Sequence, residues 1–521
     1  GVGGSGGGEG SGAQGNEAAV EVEVKSCPLV FCPQSPKVFT IPTPPGHLQE
    51  QLRAALDFER TPFYRGDDFD VEDHDGEVPP SLAFLSRQIS DMCQHLGWEA
   101  NLYAQGRVAK VVARAAAAMD RRTKGQASAE RRSVSFIVLD RLLDLATPLC
   151  HSDSNLERVM TLDARESGRA MAAPSAGSLA QPTDRTAAGW FEGFCSAGAR
   201  AAGFNIRKEL KEALLTERIP TSAEGEGKGG NGLGAISTEE LARLKGLVAS
   251  SKAREQRHAS LLRYADLVIS GTAQELCRTS DLLVAIEQVV ASLALEGPDM
   301  PMQYLVELVS KIKDGTLAHL LSADDVVRLT FVAHLLVSLK FGRSGQDLNE
   351  ALIQDFLTDL FLLERIQAAK EEELTSEGKS PESSAEGEEE VRRKVEVILA
   401  KLKRATAVSC KLNEECGGPL LGLQEEFTPL VGAVLDASKG AKHLQHMPGS
   451  IGGLLASGLG RRFGFKSQPM VTDADMTVVF VLGPVSPLEI KWAGRESESG
   501  KPVFIGALDI CSPKHIFNHF L

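Results

Sequence analysis

The chain has 521 residues, 42% of them hydrophobic and only 5% aromatic, with a formal net charge of −14 at pH 7. This is long enough for two or three domains with real cores. The acidity argues against a nucleic-acid backbone or an anionic bilayer as the main partner, and nine scattered cysteines argue against a disulfide framework.

The opening "GVGGSGGGEGSGAQG" cannot bury anything and is expected to be disordered over residues 1–20. Gly1 with Ser5 fits a myristoylation pattern, but so does glycine-rich low complexity by chance. No secretory signal and no uninterrupted apolar run of membrane-spanning length is found, so a soluble, intracellular protein is expected. From Val22 to Gly46, short β-type runs alternate with Pro, the pattern of strands or extended connectors. The acidic stretch Arg65 to Pro80 lacks the ligand spacing and terminal Glu of an EF-hand loop and reads as solvated. Ser81–Leu96 places Leu82, Leu85, Ile89, Met92 and Leu96 at helical spacing, and Tyr103–Met119 also reads as a helix. A strand follows at Ser133–Leu139.

From about Thr161 to Lys466 helical periodicity dominates. Polar or small-residue loops interrupt it near 170–181, 220–234 and 371–390. Capping boxes are predicted at Ser237/Glu240 and at Ser322/Asp325, the second opening an apolar helix that contains Arg328 and His334. The β signal returns in Val478–Leu482, which ends in a Gly483-Pro484 turn. Ser486, Pro487 and Glu489 then have the order of an N-cap, a first helical position and a capping-box acid. A last strand is expected at Val503–Leu508. The late strands need partners, and the available ones lie before residue 160. The expected fold is therefore a discontinuous three-layer α/β domain, residues 21–160 plus 467–521, interrupted by a mainly helical insertion, residues 161–466.

No GxGxxG follows a strand, GxSxG occurs only as a chance spacing in the glycine-rich leader, and a P-loop, HExxH and a kinase set are missing from the sequence. The chemistry-bearing stretch is "SVSFIVLDRLLDLATPLCHSD", Ser133 to Asp153, where a buried strand ends in acids. One reading is an enzyme using Asp140 and Asp144 at the strand's carboxyl end, where α/β folds place ligands. The other is structural. If a helical turn follows the strand, Arg141 and Asp144 share a face and form a guanidinium–carboxylate pair, Asp140 caps the turn, and Pro148 ends it. A bare helical repeat protein is disfavoured, because no repeat is evident and strands close the chain.

These motifs resemble those of the Sec/Munc (SM) family, regulators of SNARE-mediated vesicle fusion. The family's "LDRxxDxxTPLxH" signature stands as Leu139-Asp140-Arg141, Asp144, Thr147-Pro148-Leu149 and His151. Its late strand, glycine turn and "TxxEI" stand as Val478 to Ile490, with Ser486 for Thr and Pro484 for the second Gly. "SADDVVRLTFVAHLL" resembles the middle signature, and Glu425–Asp436, with Phe427 for Tyr, the segment before the final strands. The details look closest to the divergent Sec-family-domain-containing branch, which is linked to a tethering complex for Golgi-to-endoplasmic-reticulum vesicles. The resemblance implies a non-enzymatic protein without cofactor or metal. Its implied partners are SNAREs (a syntaxin-type SNARE or a SNARE bundle), tether subunits, or both, with membranes reached only through them. It makes Asp140, Arg141, Asp144, Pro148, Arg328, Gly483, Ser486 and Glu489 fold-signature residues, and it names no partner contacts. It also implies that most of the family's first domain is missing, since the segment around Cys27–Pro42 looks like the passage out of that domain.

Overall fold

The computed structural model describes residues 31–35, 37–42, 78–123, 132–160, 193, 198–220, 237–271, 274–314, 321–342, 350–375, 385–417, 427–435, 444–447, 469–494 and 500–520. The acidic stretch at 65–77, the loops at 170–181 and 221–234 and the leader at 1–20 lie outside them.

Among the described residues seven strands form one sheet: β1 (Cys32–Pro33), β2 (Val38–Thr40), β3 (Trp98–Gln105), β4 (Arg132–Asp140), β5 (Gln445–His446), β6 (Met476–Val485) and β7 (Val503–Ile510). Their order is β1-β2-β7-β6-β4-β3-β5. The five central strands run parallel, and antiparallel β1 and β5 close the edges. The late strands thus pair with strands from before residue 160, so the α/β unit is discontinuous as expected.

Period-two side chains explain the layers. On β4, Val134, Phe136 and Val138 enter one core while Ile137 and Leu139 enter the other. The first core is covered by α1 (Pro80–His95) and α2 (Arg107–Thr123), through Leu82, Leu85, Ile89, Val108 and Val112. The second core continues from the sheet into the helical insertion without a break. There the described helices are α3 (Ala199–Thr216), α4 (Thr238–Val248), α5 (Lys252–Arg257), α6 (Ala259–Gly271), α7 (Gln274–Glu296), α8 (Met300–Lys313), α9 (Ala323–Phe341), α10 (Glu350–Thr375), α11 (Ala385–Glu415) and α12 (Leu430–Leu435). Two short helices of the α/β unit, α13 (Pro487–Gly494) and α14 (Pro513–Phe520), lie on the same side. Helix α9 is buried almost all round from Val326 to Leu339, the mark of a central helix. His334 sits within it, and burial, with Lys403 nearby, lowers its pKa to about 4. No described helix is long and apolar enough to cross a membrane.

Three local expectations change. The helix read from Tyr103 begins at Arg107, and the residues before it form β3. Gly97 (φ 66°) and Gly106 (φ 97°) bracket that strand in conformations a side chain resists. Secondly, the loop read from 371 to 390 is helical at both ends, since α10 runs to Thr375 and α11 starts at Ala385. Val391, Val395, Ile398, Leu399 and Leu402 give α11 a buried stripe, and this packing holds helix despite the charged residues. Thirdly, Ser237 accepts from the Glu240 amide at 3.0 Å, but the Glu240 carboxylate turns to Arg207 at 2.7 Å, leaving that predicted box half formed.

Candidate functional site

The carboxyl end of the central strands carries the densest buried polar chemistry. Strand β4 ends at Asp140, and two 3₁₀ turns follow, Arg141–Leu143 and Thr147–Leu149. The turn is not α-helical, and Asp144 leaves it in an extended conformation (φ −136°, ψ 95°). The expected side-chain pair of Arg141 with Asp144 therefore does not form. Arg141 Nη1 instead donates to both carboxylate oxygens of Glu489, at 2.8 and 3.0 Å, and to the Pro484 carbonyl at 3.2 Å. Arg141 Nη2 donates to the backbone carbonyl of Asp144. The Asp144 carboxylate accepts the Thr147 amide (2.9 Å) and the Leu430 amide (3.1 Å), tying the turn to α12.

Asp140 is also corrected. It does not cap the turn that follows it. Its Oδ2 accepts the Val108 amide at 3.1 Å, at the start of α2. The parallel β3–β4 pairing places the two strand ends side by side, and Gly106 allows the approach: a Cβ there would lie 2.2 Å from Asp140 Cβ. Pro148 occupies the second 3₁₀ turn and is fully packed.

The late motif forms the other half. Ser486 N–H donates to Glu489 Oε2 at 3.0 Å, and Glu489 N–H donates back to Ser486 Oγ at 3.4 Å, a reciprocal box opening α13. Glu489 thus holds its own helix start and Arg141 together. A Cβ on Gly483 would lie 2.9 Å from Arg141 Cγ, so the glycine makes room for the guanidinium stem. Burial pushes the Glu489 carboxyl up, and Arg141 opposes that shift.

A second buried cluster continues into the insertion. Glu287 on α7 accepts the His151 amide (2.6 Å), meets His151 Nδ1 (2.7 Å) and accepts Arg328 Nη1 of α9 (2.6 Å). Arg328 also donates to the Leu149 carbonyl, and Asp325 lies 3.8 Å from its Nη2. Burial acts to raise the Glu287 pKa, but Arg328 and His151 outweigh it and hold the carboxyl below its usual range. Glu157 lies beside them, where burial raises its pKa to about 7 against His151, with Glu287 adding to the rise. Sequence reading missed Glu287 and Glu157. The signal for Glu287 was a lone acid on the apolar stripe Leu283, Ile286, Val290, Ala294.

Chemically, this arrangement fastens segments together. Asp140 and Asp144 are 1% and 0% exposed, and each carboxylate is engaged by backbone amides. Among the described residues no group of three His, Cys, Asp or Glu is placed to hold a metal ion.

The site thus joins the two parts of a discontinuous α/β unit, interrupted by a helical insertion, through a strand-tip arginine held by a late capping-box glutamate. In sequence the chain is similar to the Sec1 family domain-containing protein MIP3 of Arabidopsis thaliana, with 26% identity over 153 residues. That match spans 29% of this chain and 18% of the relative. No family model matches. Solved structures with a similar course include Sly1p in complex with an N-terminal peptide of Sed5p (TM-score 0.47, 14% identity, 94% of this chain and 73% of that one). Others are the SM protein Vps45 with the Qa SNARE Tlg2 (0.47, 12%, 93% and 74%) and the Unc18–syntaxin 1 complex of Monosiga brevicollis (0.46, 13%, 94% and 76%).

Proposed function

We propose that this chain is a non-enzymatic Sec/Munc-like protein of vesicle-mediated transport. It binds SNAREs (a syntaxin-type SNARE or an assembling SNARE bundle), subunits of a tethering complex, or both, and promotes docking and fusion on the Golgi-to-endoplasmic-reticulum route. It works in the cytoplasm, reaching ER and Golgi membranes through these partners. The observation that carries the reading is the set of four family-ordered motifs, the first and last of which meet in the Arg141–Glu489 pair. The likeness to MIP3 supports it. Phe204 and Leu215, about three turns apart on α3, face solvent at 57% and 71% exposure, which suits an insertion that receives partner helices.

The enzyme reading is disfavoured by geometry: a general acid or base needs access to substrate, and Asp140 and Asp144 have none. The test is affinity purification of the tagged chain from cells with mass spectrometry, followed by calorimetric titration with purified cytosolic SNARE segments. Enrichment of SNAREs or tether subunits is expected. Recovery of neither class, with no heat of binding to any SNARE, removes the reading.

A further inference from the structure

A serine outside the buried clusters carries a different kind of chemistry. Arg257 stands three residues before Ser260, Arg254 six residues before it, and Leu261 directly after it. An arginine at that spacing with an aliphatic residue next in line is the substrate pattern of arginine-directed serine kinases, which select by charge. Among the described residues two other serines follow an arginine at the same distance, Ser90 after Arg87 and Ser135 after Arg132, and they are 8% and 0% exposed. Ser260, in the first turn of α6, is partly exposed. The segment before it opens at little cost, because α5 has six residues and buries none of them. The surroundings also offer a receiver for a phosphate. Arg257 Nε and Nη2 donate to the Glu217 carboxylate at 3.0 and 2.7 Å, and His258 Nε2 meets it at 3.0 Å. These two hold the Glu217 carboxyl down to about 2. Glu217 is the C-cap of α3, and Arg218 after it is the one non-glycine residue with a positive φ (54°) among the described residues. The Arg218 and Ile219 amides fold back onto the Leu215 and Leu214 carbonyls at 3.0 and 2.9 Å, so α3 ends in a left-handed cap beside the clasped carboxylate.

We infer that Ser260 is a phosphorylation site of an arginine-directed serine kinase, and that its phosphate unclasps the end of α3 by taking Arg257 and His258 from Glu217. Helices α5 and α6 meet at His258: its amide donates to the Arg254 carbonyl and its own carbonyl accepts the Leu262 amide, both at 2.9 Å. Arg257 and Ser260 thus lie about one turn apart across that junction. In the transfer, Ser260 Oγ bonds to the γ-phosphorus of ATP and the bond from that phosphorus to the β–γ bridging oxygen breaks. ADP leaves, and the hydroxyl proton passes to the kinase's catalytic carboxylate. The product carries a charge of about −1.5 to −2 and three acceptor oxygens, so it outcompetes a single carboxylate for the guanidinium and leaves Glu217 facing a like charge. The left-handed Arg218, a conformation costly for any residue with a side chain, then loses the contact that holds its neighbour.

The test incubates the full chain with the catalytic subunit of cyclic-AMP-dependent protein kinase and magnesium–ATP. Mass spectrometry maps the phosphate, and hydrogen exchange reads the cap. Ser260 is expected to be phosphorylated while Ser90 and Ser135 stay unmodified. Arg257→Gln is expected to slow incorporation at Ser260 at least about tenfold. In the phosphorylated chain the amides of Glu217, Arg218 and Ile219 are expected to exchange at least about tenfold faster, and Ser260→Ala treated in the same way keeps the parent's rates. Glu217→Gln gives up the clasp beforehand, so phosphorylation adds nothing to its already faster exchange. Circular dichroism verifies the fold of each variant. No phosphate at Ser260 in the folded chain, incorporation there that Arg257→Gln leaves unchanged, or unchanged or slower exchange at residues 217–219 after phosphorylation overturns the inference.

Discussion

Replacing either member of the Arg141–Glu489 pair puts the joint between early and late chain segments to a quantitative test. The side chains are 5% and 0% exposed, two hydrogen bonds of 2.8 and 3.0 Å join them, and Glu489 also caps α13. Arg141→Met leaves a buried carboxylate, and Glu489→Leu leaves a buried guanidinium. Each single change is expected to cost about 3–5 kcal/mol at pH 7. The double variant leaves no unmatched charge, so its loss falls short of the sum, with a coupling of about 0.5–3 kcal/mol or more. The two singles also differ in pH response. Without Arg141, burial raises the Glu489 pKa further, and the folded state then holds a proton that the unfolded chain releases. The cost of Arg141→Met is therefore smallest at pH 5 and grows as pH rises, whereas the cost of Glu489→Leu moves the other way, because that variant loses a carboxyl whose raised pKa already works against the parent as pH rises. Denaturant titration followed by fluorescence of Trp492, in α13 beside Gly432, reads the joint directly. Losses that add within about 0.5 kcal/mol refute the argument that the pair acts as a unit.

Gly106→Ala is expected to destabilise by at least about 2 kcal/mol, since the added carbon meets Asp140 Cβ at 2.2 Å and φ is +97°. An unchanged melting temperature contradicts the close approach. Asp144→Asn keeps one acceptor for two amides and is expected to cost about 1–3 kcal/mol, with faster hydrogen exchange at Thr147 and Leu430. Protected amides at both positions dispose of that role. Glu157 has a folded pKa of about 7, above its unfolded value, so its stabilising contribution is full below the unfolded pKa and is lost as pH rises through 7. Glu157→Gln is thus expected to melt higher than the parent at pH 8 and to match it more closely at pH 5. A difference that does not vary with pH refutes the assignment.

Local chemistry was legible in the sequence wherever one segment held the whole motif. Ser322 with Asp325, and Ser486 with Glu489, sit within four residues of each other, and both form reciprocal boxes. The apolar run of β4 and the helical spacing of α1 were equally plain. Strand β3 alternates, with Trp98, Ala100, Leu102 and Ala104 against Glu99, Asn101 and Gln105, but Ala104 also continues the Val108, Val112 spacing of the Ala-rich helix that follows at once. The two bracketing glycines, Gly97 and Gly106, were its remaining mark. Partner choice across distance was not legible. Arg141 and Asp144 have helical spacing, but the chain makes a 3₁₀ turn there, and the nearest acid in space to Arg141 lies 348 residues away. Asp140 likewise serves the start of α2 because β3 and β4 run side by side, a relation set by pairing and not by local sequence.

The β4–β6 pairing also sets a timetable. Val134 through Asp140 must pair with Met476 through Leu482, yet about 340 residues separate the two strands along the chain. At a synthesis rate of roughly 5–20 residues per second, β4 waits about 20–70 s on the ribosome for its neighbour. Throughout that time one backbone edge of β4 is bare and the faces bearing Phe136, Val138 and Ile137 are only partly covered, conditions that invite pairing with a wrong strand. The helical insertion is made during the same wait and can begin to cover one of those faces before the sheet is complete. The final strands therefore act as a late clasp: a ribosome that stops short of residue 476 releases a chain with a bare β4 edge and no Glu489 for Arg141, a form for chaperones and proteases to take up.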